Sequence, residues 1–103
     1  MSERYEGKPF LELVDAYVLD AIGHLHPDSD EALTAREPEF REMFGIDAPW
    51  RDIVVKRMQF PEGMAGAIRE LWLKGRNSFV TAHREEPVPR EFARFFVDTN
   101  FPH

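Results

Sequence analysis

PEGMAGAIRELWLKGRNSFVTAHRE, residues 61–85, begins on a proline and places Met64, Ala65, Ile68, Leu71, Trp72, Gly75, Phe79 and Ala82 at helical spacing. Apolar and small side chains recurring every three to four residues mark one face of an α-helix. The phase runs unbroken past Gly75. Glycine inside a helix costs about 1 kcal/mol relative to alanine. Ending the helix there would instead leave a structureless loop of about a dozen residues, which compact domains seldom contain. One long helix from about Pro61 to Glu85, stopped by Pro87, is therefore predicted in preference to a short strand over Ser78 to Ala82.

The same punctuation recurs along the chain. Pro9, Pro38, Pro49 and Pro89 also stand just before stretches with helical apolar spacing. Proline is tolerated in the first helical turn, where its missing N–H had no partner, and is costly further in. A first helix from Pro9 to about Leu25 aligns Phe10, Leu13, Val14, Tyr17, Val18, Ala21, Ile22 and Leu25, and frays at Gly23 and Pro27. Asp28 and Glu31 fit a capping box opening a short second helix. A third, from Pro38 to Phe44, would bury Phe40, Met43 and Phe44 and end at Gly45; two short helices are favoured over one kinked helix across 29–44. Asp47 is a plausible cap for a fourth, Ala48 to Gln59, burying Trp50, Ile53, Val54 and Met58. The last, Pro89 to Asp98, turns Phe92, Ala93, Phe95, Phe96 and Val97 inward, with Phe101 packing back onto the bundle. The expectation is an all-α, compact bundle of five to six helices forming a single domain over residues 1–103.

Composition narrows the chemistry. No cysteine is present, which excludes disulfides, thiolate nucleophiles and Cys-held zinc or iron–sulfur clusters. MSERYEGKPF has no apolar h-region, and the apolar stretch Phe10 to Ile22 is broken by Glu12, Asp15 and Asp20. A soluble cytoplasmic protein with no membrane partner is the expectation. No Walker loop, GxGxxG or GxSxG motif occurs, and Gly63 and Gly66 make only a GxxG at a helix start. Charge is unevenly spread: residues 1–50 hold four Lys or Arg against twelve Asp or Glu, and residues 51–103 nine against seven.

Three sets of residues could carry function. His24, His26 and Asp28, or Asp30 in its place, follow one another where the first helix unwinds. Alternate residues of extended chain point the same way, so these could chelate a zinc-like divalent ion, with His83 completing the set from the long helix. The alternative is an ordinary helix end, with His24 bonding a free carbonyl. Arg57 falls mid-face among Trp50, Ile53 and Val54. It could grip an anionic ligand or carboxylate bidentately, or lay its stem on apolar surface with its head in water. Finally, Arg69, Leu73, Arg76, Val80 and Arg84 form a second stripe on the long helix. Mixed basic and aliphatic residues at this spacing suit an acidic, partly apolar partner, such as the N-terminal half of a second copy, with Leu19 and Leu73 as anchors. The competing arrangement makes the long helix central, packed on two sides. A helix-turn-helix drawn across Gln59 to Pro61 is opposed by a pI near 5.2, so nucleic acid is not the expected partner. The reading is a small interaction or assembly module that forms a homodimer or joins a larger assembly. The alternatives are a small-ligand or metal-binding protein and a DNA-associated regulator.

Overall fold

Proline and phase set most helix starts. The computed structural model describes residues 7–100, among which there are six helices and no strand. They are α1 (Pro9–Ala21), α2 (Pro27–Ala35), α3 (Glu37–Phe44), α4 (Trp50–Met58), α5 (Met64–His83) and α6 (Pro89–Asn100). Pro9, Pro27, Pro38 and Pro89 all lie in first turns, and Pro49 is the residue before α4. No helix among the described residues is long and apolar enough to cross a membrane.

The caps depart from expectation in two places. Asp28 does not cap α2; His26 does, its Nδ1 accepting the Asp28 backbone N–H at 3.1 Å, with Pro27 as first helical residue. Asp47 does not cap α4 either. Its side chain is turned to water, while the Trp50 N–H donates to Glu37 Oε2 of α3 at 3.0 Å. A tertiary contact has replaced the local cap. α5 is shorter than predicted because Gly63, at φ 87°, sets the chain's entry, and Arg84, at φ 57°, ends it. The phase does run through Gly75. The expected return of Phe101 falls outside the described residues.

The hub is α1, which packs against α4, α5 and α6, while α3 joins α4 and α2. Its thirteen residues bury Leu13, Val14, Ala16, Tyr17 and Val18, and even Leu11 and Leu19 are half-buried against the core. Leu19 thus belongs to its own chain's core and is not a free anchor. Trp50, Ile53 and Val54 from α4, Phe40 from α3, Ile68 and Trp72 from α5, and Ala93 and Val97 from α6 complete the interior. Placing the long helix at the centre is wrong: α5 has twenty residues and buries only Ile68 and Trp72. Three residues expected inside face water, namely Met43 (51% exposed), Leu71 (56%) and Phe95 (68%). Each sits at the margin of its helix's apolar stripe.

Candidate functional site

The predicted metal ligands are not brought together. His26 uses its Nδ1 on the α2 backbone, His24 sets its ring edge-on to Trp72 at 5.6 Å, and His83 lies on Phe79 at 4.4 Å. Asp28 is a solvent-facing residue of the first turn of α2. Among the described residues no three His, Cys, Asp or Glu side chains converge as a ligand set. His24 and His26 close a helix junction instead.

Arg57 is exposed, and its guanidinium lies 4.8 Å from the Phe10 ring centroid and 5.0 Å from that of Phe44. Those two rings meet edge to face at 5.4 Å, so one cation covers the aromatic contact between α1 and α3 from its place on α4. A cation above an aromatic face gains about 0.5–1 kcal/mol at such exposure. The anomaly at a core-facing position is therefore a cation–π clasp in which the apolar partners and the charge are both satisfied.

A polar cluster that the spacing of residues did not signal ties α1, α2 and α4 together. Arg51 donates from Nε and Nη2 to the two carboxylate oxygens of Asp20 at 2.9 and 3.1 Å, and from Nη2 to Asp30 at 2.9 Å. The Trp50 indole donates to the other Asp30 oxygen at 3.2 Å, and the Arg51 guanidinium lies 4.6 Å from the Trp50 ring centroid. Planar guanidinium and carboxylate match in a two-point fork, which a lysine could not reproduce. The Arg51 hydrogen bond, helped by that of Trp50, holds the Asp30 carboxyl below its ordinary value. The two aspartates in turn keep Arg51 firmly charged. Burial, with the charges of Asp20 and Asp52 adding, pushes the Tyr17 phenol up. A second clamp joins α3 to α4: besides capping α4, Glu37 pairs with Arg41 at 3.4 Å, and Arg41 Nε donates to the Ala48 carbonyl at 3.1 Å. The acids lie in an acid-rich half and, apart from Arg41 beside Glu37, their partners are 13 to 31 residues away, so no local pattern identifies the clusters.

The outer side of α5 has no such closure. Arg69 and Leu73 are exposed, Leu73 by 43%, and Arg76 and Val80 are half-buried. Arg84 is exposed at the helix end. Arg76 is held within the chain by Glu86, its Nε donating at 2.7 Å. Arg69 and Lys74 make no hydrogen bond or ion pair with any described residue. A shallow depression beside them is lined by Glu70, Leu73 and Lys74. The α4–α5 connection of five residues, 59–63, includes the left-handed Gln59 and Gly63.

Comparison of the chain with protein-family models, with curated proteins and with solved structures yields no match. The class these observations define is an all-α helical bundle whose polar clusters serve its own architecture and whose longest helix is the least covered.

Proposed function

We propose that this chain is a soluble cytoplasmic interaction module that self-associates through the outer face of α5. The observation that carries this reading is the mismatch between the length of α5 and its burial. At 1.5 Å per residue its twenty residues span about 30 Å. Beyond the buried Ile68 and Trp72, it presents an exposed Leu73 with Arg69 one turn before it and Arg76 just after. Isolated exposed leucines are ordinary. A leucine on a long, little-covered helix, beside Arg69 and Lys74, which pair with no described residue, is a surface suited to a partner.

Magnitude sets what that partner must supply. Full burial of a leucine is worth about 1.5–3 kcal/mol, so covering the 43% of Leu73 that meets water returns about 1 kcal/mol per copy. That is too little against the entropic cost of association. The rest of the stripe must contribute, and the acidic N-terminal half of a second copy offers the opposite charge. Multi-angle light scattering at micromolar concentration should give a dimer mass or a larger multiple. Leu73→Glu should give a monomer with an unchanged far-UV circular dichroism spectrum, because the side chain is already half in water. A wild-type protein that stays monomeric at every accessible concentration would refute the proposal.

A further inference from the structure

The self-association proposed above leaves open which face of the second copy meets α5, and charge favours one. An antiparallel α5-on-α5 pairing is disfavoured. Arg69 and Arg76 lie on the same flank of Leu73, one turn before and almost one turn after it. A two-fold axis at Leu73 with the helices antiparallel sets Arg69 against the second copy's Arg76, which brings like charges together across the contact and costs specificity and affinity.

The opposite arrangement exists elsewhere on the surface. Met43 of α3 is 51% exposed, and its neighbours are acidic: Glu42 beside it, Glu39 one turn before it, and Asp47 just past Gly45. Glu42 makes no hydrogen bond or ion pair with any described residue, while Glu39 reaches only Arg36, at 3.5 Å. Methionine is unbranched and polarizable and adapts to irregular apolar contacts. The protein therefore carries two exposed apolar side chains whose rims differ in net charge. On α5 the rim holds Arg69, Lys74 and Glu70, with Arg76 already paired to Glu86; on α3 it holds Glu42, with Glu39 and Asp47 paired to Arg36 and Arg41. The pairing also suits the division of charge along the chain, acidic before residue 50 and slightly basic after it.

We infer that the Leu73 face of α5 docks on the Met43 face of α3 of a second copy of this chain, with Arg69 opposite Glu42. The inference rests on the self-association reading. Its test is a charge exchange followed by sedimentation equilibrium, using Arg69→Glu and Glu42→Arg, two exposed sites whose substitution should leave the circular dichroism spectrum unchanged. Each single variant should associate at least about tenfold more weakly than wild type, because it sets like charges against one another. An equimolar mixture of the two, and equally the double variant R69E/E42R, should regain affinity to within about threefold of wild type, because either restores every opposite-charge pair. Raising salt should weaken wild-type association, as screening of rim charges requires. If Leu73→Glu and Arg69→Glu abolish association while Glu42→Arg leaves it unchanged, α5 is the contact but α3 is not its target, and the inference falls alone. If both single variants weaken association and their mixture does not recover, the two residues do not face one another and the inference falls. A monomeric wild type removes the self-association reading together with it.

Discussion

Gly75→Ala isolates the reading of α5 as one continuous helix. Gly75 lies well inside Met64–His83, has no positive φ, and a Cβ built on it meets nothing within 4 Å. The substitution adds no clash and removes no contact, so the backbone term stands alone. Alanine exceeds glycine in a helix interior by about 0.8–1 kcal/mol, largely through the restricted unfolded chain. For a domain of this size that corresponds to a rise of about 4–8 °C in Tm. Gly63 is the matched control. Its Cβ position is equally open, but its φ of 87° belongs to the left-handed region. Gly63→Ala should lose about 1–2 kcal/mol from that conformation. Two substitutions of identical chemistry in equally open space should therefore shift stability in opposite directions, separated by φ alone. Urea denaturation followed through the buried Trp50 and Trp72, at one protein concentration, reads both. A destabilised Gly75→Ala, or a Gly63→Ala as stable as wild type, would refute the helix boundaries and the continuity argument together.

Glu37→Ala removes the acceptor for the Trp50 N–H and one partner of Arg41. It should cost about 0.5–2 kcal/mol, the range for a lost helix cap, in urea denaturation; a neutral result would mean water caps α4 equally well. Asp30 governs part of the acid response. Its folded-state carboxyl lies below the ordinary value of 3.8, so its stabilisation is complete above that value and is lost as pH falls through the lower folded one. Asp30→Asn should lower stability near neutrality and flatten the decline in acid, measured as urea midpoints across the acidic range. An unchanged acid slope would assign that decline to other carboxylates.

What was legible in the chain were quantities summed over a few neighbouring residues. Proline in first turns and apolar phase located the all-α class, the break between α2 and α3, and the passage of α5 through Gly75, because φ restriction and helical periodicity act within about four residues. Local rules placed Arg57 on a core-facing side but could not say that two rings from α1 and α3 would receive its charge. They likewise read Asp47 as the cap of α4, since a cap is normally supplied by an adjacent residue. Glu37, thirteen residues before Trp50, supplies it instead. The joining of Arg51 to Asp20 and Asp30 spans 31 and 21 residues. The choice of α1 over α5 as the hub follows from which helices surround it, not from the apolar content of either. That same arrangement leaves Met43, Leu71, Leu73 and Phe95 in water. Period and composition fix which side chains can be buried; only the positions of the other helices decide which of them are, because burial is a property of the space between elements and not of any element alone.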